Sequence, residues 1–224
     1  MLQHVLESAL RQTMNRLVRP VLNPAVPVPL QRRIVRQAYR SSTPPRGAKF
    51  ENITIGGVPA TRTTFGNDPR GAVLYLHGGG YIIGSSSTHR GITGHLAKTT
   101  GCAIVTPDYR LAPEFPFPAA LDDAEACWNG LLEAGLKPDQ IAVAGDSAGG
   151  GLSVALAMRL RDKGLQLPAS LTAFSPWIDL TQEQLYAPEI EPVLQASWTS
   201  KAARLYAGKE PLTNPLISPI FGDL

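Results

Sequence analysis

In the run IAVAGDSAGGG, residues 141 to 151, a glycine stands two places before Ser147 and another two places after it. Ile141 to Ala144 are small or apolar and read as a short buried strand. After Ser147 come three glycines and then Leu152, Ala155, Leu156 and Leu160 at helical spacing, with Gly164 placed to cap the helix at its C-terminal end. Gly145-x-Ser147-x-Gly149 is the spacing of a nucleophile elbow. The reason is steric: the strand-to-helix turn is so sharp that its flanks must be small, while the serine projects from the apex. The unpaired N–H groups of the helix start also favour negative charge beside that hydroxyl. A glycine-rich phosphate loop or a plain turn has a similar look, but a Walker loop needs G-x-x-x-x-G-K-[ST], and no lysine stands in that place.

The rest of the chain supplies the sheet that such a turn requires. FENITI and VPATRTTF alternate with period two on either side of Gly56 and Gly57, which predicts a hairpin. Continuous apolar runs at Ala72 to Leu76, Cys102 to Thr106, Ile141 to Ala144 and Ser170 to Phe174 read as strands buried on both faces. Helical patterns lie between them, near Ile92 to Thr99 and Ala119 to Leu132, and after Ser147. Strands alternating with helices imply an α/β fold with a mostly parallel sheet and helices on both sides. Upstream, Leu2, Val5, Leu6, Ala9, Leu10, Met14, Leu17 and Val18 predict an amphipathic helix ended by Pro20, and a second helix is expected over about Leu30 to Tyr39. Ser41 to Gly47 is a loop and a boundary.

A second constellation follows the first buried strand. His77, Gly78, Gly79, Gly80 and Tyr81 come directly after Leu76. Open α/β sheets bind ligands beyond the carboxyl ends of their strands, where this loop and the elbow both lie. Consecutive glycines there let backbone N–H groups turn inward, the form of an oxyanion hole, which places donors about 3 Å from a developing negative oxygen. A glycine turn joining strand to helix is the plain alternative for the loop taken alone.

VLYLHGGGYIIGSSSTH, DYRLAPEFPFPAALDDA, IAVAGDSAGGGLSVALA and FSPWIDL resemble, in that order, the motifs of the hormone-sensitive-lipase-like family of α/β-hydrolases, the bacterial family IV esterases. The likeness runs from about Phe50 onward. It implies an α/β-hydrolase core over 47–224, cap helices over 1–46 and a cap insertion at about 181–207. It also implies a serine esterase acting through an acyl-enzyme on short or medium acyl esters, lactones among them, with no cofactor and no metal. By the same resemblance Ser147 is the nucleophile, and the N–H groups of Gly78, Gly79 and Ala148 form the oxyanion hole. His77 holds the loop by hydrogen bonds and is not the base. Asp146 is a local acceptor, and Tyr109, Arg110 and Glu114 brace the active-site loops with a salt bridge inside their segment. Asp179 reads as structural support, and Trp177, Trp198 and Tyr206 as core side chains or the lining of an acyl site.

A hydrolase of this kind needs a histidine to accept the serine proton and a carboxylate to hold it, in the order Ser, Asp or Glu, His. The four histidines, His4, His77, His89 and His95, all precede Ser147. The expectation is therefore a C-terminal part of the fold, with the triad acid and base, lying outside these 224 residues. The competing function is a module of the same fold that binds a small ligand without turning it over. Composition agrees with either: 43% hydrophobic and 17% charged is ordinary for a globular chain. Cys102 and Cys127 read as buried thiols in a reducing compartment, hence a cytoplasmic location. Residues 1 to 50 hold nine Lys and Arg against Glu7 alone, which reads as solvated arginines on outer helix faces. The expected partner is a small-molecule ester. Nucleic acid is not expected, since no aromatics interleave the basic residues, nor is membrane contact; a homodimer is compatible with the reading.

Overall fold

The computed structural model describes residues 11–39, 42–182 and 193–223. Its centre is a six-stranded sheet in the order β1-β2-β4-β3-β5-β6, built from β1 (Ala48–Ile55), β2 (Val58–Phe65), β3 (Ala72–Leu76), β4 (Ala103–Pro107), β5 (Ile141–Asp146) and β6 (Ser170–Phe174). The predicted hairpin forms β1 and β2, paired from Ala48 opposite Phe65 to Ile55 opposite Val58. β2 joins β4 antiparallel, and β4, β3, β5 and β6 run parallel.

Every residue of β3 and of β4 is buried, as the unbroken apolar runs require. Alternation along the strands then divides the core in two. Val73, Tyr75, Ile104 and Ala144 point to one face, where they meet Ala97 of α2 (Arg90–Thr100). Leu74, Leu76, Val105 and Val143 point to the other, against α3 (Ala119–Glu133) and α4 (Ala148–Asp162), whose Leu121, Trp128, Leu152 and Leu156 fill that side. α1 (Val28–Ala38) and α5 (Ala196–Ala207) extend this second core through Val28, Trp198, Ala202 and Tyr206.

Three expectations are corrected. β6 is not buried: it forms the edge of the sheet, with Leu171 38% and Phe174 39% exposed, because no strand pairs with its outer side among the described residues. Cys102 is half-exposed and precedes its strand, which begins at Ala103, whereas Cys127 is buried, and both thiols are free. α1 starts at Val28, two residues early, since Pro29 sits in its first turn, where a missing N–H costs nothing. Upstream, Met14–Val18 form a turn of π-helix that ends at Arg19, just before Pro20. Leu2 to Leu10 and His4 of the expected first helix lie outside the described residues, as do residues 183–192 of the expected insertion. No helix among the described residues is long and apolar enough to cross a membrane.

Candidate active site

Register places the site. β3 and β5 are neighbours, and Leu76 lies opposite Gly145, so His77–Gly80 and Asp146–Ala148 leave the sheet side by side at the carboxyl edge. Ser147 sits at the junction of β5 and α4 with φ 52 and ψ −120, a left-handed conformation that a side chain adopts only under constraint. The constraint is backbone bonding: the Ser147 N–H donates to the Phe174 carbonyl at 3.0 Å, and its own carbonyl accepts from Gly151 at 3.0 Å and from Trp177 at 2.8 Å. A Cβ on Gly145 would collide with the carbonyls of Gly149 and Leu76, and one on Gly149 with those of Leu76 and His77. The spacing seen in the sequence is therefore a contact between the elbow and β3.

Ser147 lines a cavity of about 1420 Å³ together with Gly78, Gly79, Gly80, Trp177 and Trp198, and with Leu17, Val18, Ile34 and Val35 from the N-terminal segment. No hydrogen bond engages the N–H groups of Gly79, Gly80 or Ala148 among the described residues. Gly78 requires a correction. Its N–H, expected to face an oxyanion, donates instead to Oδ1 of Asp146 at 3.0 Å. Among the described residues the N–H groups of the next two glycines have no hydrogen-bond partner, and Gly80, the third glycine of HGGG, was not among the donors expected from the sequence.

Asp146 is the acceptor that holds this arrangement. Its Oδ1 takes the Tyr75 hydroxyl at 2.9 Å as well as Gly78, and lies 3.4 Å from Nε2 of His89. Burial alone would raise the carboxyl, but the His89 bond and charge, Tyr75 and Gly78 together hold it below the usual carboxylate range. His89 binds on its other side to Ser85 and Thr88 through Nδ1, so both ring nitrogens are engaged away from Ser147. His95 is exposed on α2. Among the described residues, no side chain is hydrogen-bonded to the Ser147 hydroxyl, and no group of three His, Cys, Asp or Glu is placed to hold a metal.

His77 is completely buried, stacked 4.2 Å from the ring of Tyr109, whose hydroxyl donates to the His77 carbonyl at 2.6 Å. Its Nδ1 donates to the Gly78 carbonyl at 2.8 Å. Burial, reinforced by the neighbouring His89, lowers its pKa from the ordinary 6.5 to about 3. Between those values the unfolded chain binds a proton that the folded chain refuses. Stability from His77 is thus complete above pH 6.5 and declines, by about 1.4 kcal/mol per pH unit, as pH falls toward 3. Asp146 adds a loss only at lower pH, below the ordinary carboxylate range. The expected result is a melting temperature that falls steadily from pH 6.5 to 4, with a His77 ring resonance that does not titrate between pH 7 and 5. A His77 resonance moving near pH 6.5 would contradict it.

The bracing segment differs from expectation too. No salt bridge forms within Tyr109–Glu114; both charges pair outside it. Arg110 grips Asp123 of α3 with Nε at 3.0 Å and Nη2 at 2.7 Å. Glu114 takes both terminal nitrogens of Arg32 at 2.9 and 2.7 Å, and the same guanidinium donates to the carbonyls of Ile82 and Ala112. Arg32 and Asp123 had no signal in the sequence that distinguished them from surface charges. Asp179 accepts from the N–H and hydroxyl of Thr181, a local turn. Trp177 and Trp198 line the cavity, whereas Tyr206 is buried behind it, stacked on Tyr81.

A family model described as alpha/beta hydrolase fold matches residues 73–224. The chain is 40% identical over 176 residues to an acetyl-hydrolase of Streptomyces hygroscopicus, covering 77% of this chain and 58% of that protein. It is 36% identical over 215 residues to the esterase LipU of Mycobacterium tuberculosis, covering 87% and 71%. Among solved structures it is similar to the hormone-sensitive-lipase homologue EstE7 from a metagenome library, with a TM-score of 0.86 and 34% identity over 96% of this chain and 73% of that one. The chain thus spans about six-tenths of the length of the Streptomyces relative.

Proposed function

This chain belongs to the hormone-sensitive-lipase-like branch of the α/β-hydrolase fold family, and from that premise we propose that it carries the nucleophile and the oxyanion donors of a carboxylic-ester hydrolase. Ser147 attacks the ester carbonyl, and the tetrahedral oxyanion accepts from the N–H groups of Gly79, Gly80 and Ala148. Collapse expels the alcohol and leaves an acyl-enzyme that water hydrolyses. Asp146 acts through Gly78: by taking that N–H it turns the next two toward the cavity. The observation that carries the reading is the meeting, in one cavity, of a serine held at positive φ with the N–H groups of Gly79 and Gly80, which have no hydrogen-bond partner among the described residues.

The apolar lining from Leu17, Val18, Ile34, Trp177 and Trp198 suits an acyl group of short or medium length. The proton acceptor for Ser147 is the part of the chemistry not found among the described side chains, so the test supplies one. Covalent labelling of Ser147 by a fluorophosphonate, accelerated by added imidazole, is the expected result, read by peptide mass spectrometry. Because both nitrogens of His89 bond elsewhere, the same cavity also admits binding without turnover. Saturable uptake of butyrate by a chain that no fluorophosphonate labels would favour that second reading.

A further inference from the structure

Trp198, Ala202 and Tyr206 stand four residues apart on α5 and form one row along it. All three are buried, and the row faces the glycine loop after β3. Tyr206 stacks on Tyr81 with ring centroids 3.6 Å apart and planes 4° from parallel. A Cβ on Gly80 would stand 2.8 Å from Cη2 of Trp198 and 3.4 Å from Cβ of Ala202. The benzo edge of the indole therefore lies directly on the Gly80 backbone.

The other edge of that indole is pinned from a different part of the chain. Nε1 of Trp198 donates to Oε1 of Gln31 at 2.9 Å, and Gln31 is completely buried on α1. Gln31 is not free to turn away, since its Nε2 donates to the carbonyls of Asn23 and Val26, each at 3.0 Å. Gln195 adds bonds to the carbonyls of Arg19 and Leu22, and Lys201 one to the carbonyl of Pro24. Side chains 195, 198 and 201 thus sew α5 to residues 19–31, while 198, 202 and 206 support the glycine loop. Trp198 belongs to both rows.

Resting on the reading of Gly79 and Gly80 as oxyanion donors, we propose that Trp198 is a positioning residue that couples docking of the N-terminal segment to the oxyanion loop. Gly80 has φ +60, and a glycine leaves that region as readily as it enters it, so nothing in its own chemistry holds it there. The indole closes off the alternatives, and Gln31 holds the indole. With residues 19–31 in place, the Gly79 and Gly80 donors are aimed at Ser147. With that segment displaced, the donors lose their aim. Binding and chemistry are separated in this way, and the loop is set only on closure.

The loop carries its own reporters, because the amides of Ile82 and Ile83 donate to the Gly79 carbonyl at 3.1 and 3.0 Å. Trp198→Phe removes the indole donor and keeps an aromatic ring; Gln31→Leu removes its acceptor. Each is expected to speed hydrogen exchange at Ile82 and Ile83 about tenfold, the size of one lost hydrogen bond, with the amides of β5 unchanged. Each also lowers the maximal rate of fluorophosphonate labelling at Ser147 about tenfold; Gln31→Leu, at a residue that does not line the cavity, does so while leaving the half-saturating concentration alone, and the double variant is no worse in maximal rate than either single one. Gly80→Ala, which pushes on the indole from the loop side, raises the same exchange. The proposal is overturned if Ile82 and Ile83 exchange faster only in step with β5, if Gly80→Ala leaves them unchanged, or if the two single losses add in the double variant. A wild-type chain that is never labelled sinks the ester-hydrolase reading instead, and the exchange rates still decide the coupling.

Discussion

Ser147→Ala is expected to abolish fluorophosphonate labelling completely and to remove the acceleration that added imidazole gives the protein's hydrolysis of p-nitrophenyl butyrate beyond imidazole's own rate. The two readouts carry different weight. Removing one member of a catalytic constellation costs nearly as much as removing all of it, and about 10³ to 10⁴ over water survives from the oxyanion hole and binding. Where no base touches the serine, hydrolysis without imidazole would therefore differ little between the two proteins, because water attacks with the same oxyanion donors in both. Formation of a covalent bond has no such background, since it needs the Ser147 oxygen itself. Added imidazole supplies the missing proton acceptor and makes turnover serine-dependent. Label found on another residue, or imidazole-assisted hydrolysis that survives Ser147→Ala, would remove Ser147 from the mechanism. In the same assay Gly78→Ala tests the loop indirectly, whereas Gly80→Ala bears directly on a donor.

The second large effect is expected at a position with no chemistry. Gly149→Ala should destabilise the protein by about 3 kcal/mol or more, or prevent folding. The added methyl has no room, because it meets the carbonyls of Leu76 and His77, the second at 2.5 Å. Neither carbonyl can retreat freely: Leu76 is held in register with Gly145 of β5, and the His77 carbonyl accepts the Tyr109 hydroxyl at 2.6 Å. The useful comparison is Gly164→Ala, which has φ +65 but nothing within 4 Å of a new Cβ. It carries only the cost of a left-handed conformation, about 1 to 2 kcal/mol. Denaturant midpoints for the two variants would separate close approach from backbone strain, and equal losses would show that packing between the elbow and β3 contributes nothing.

Much of the fold was readable because its determinants are local. Alternation of period two marked β1 and β2, unbroken apolar runs marked β3 and β4, and glycines on both sides of Ser147 marked the elbow. In each case the physical cause acts within a few residues: side-chain direction along a strand, or the room left at a turn. β6 shows where this fails. SLTAF has the composition of a buried strand, but burial depends on whether another strand lies beside it, which composition does not record.

The candidate site divides along the same line. From the sequence alone, Ser147 was marked as the apex of an elbow and the HGGG segment as the loop beside it, since both are backbone geometries that demand particular residues at particular spacings. Only the tertiary structure decided which donors remain available. Gly78 and Asp146 are 68 residues apart and bond because β3 and β5 are in register. Arg32 finds Glu114 across 82 residues, although Arg110 stands closer along the chain and is taken by Asp123. Trp198 reaches Gln31 across 167 residues and Gly80 on its other side. A hydrogen-bond donor or a charge accepts many partners of equal chemistry, and the one it meets is selected by where the packed sheet and helices hold it. A sharp turn carries its requirement in its own residues, and for that reason Ser147 was legible in the sequence while the groups packed around the glycine loop were not.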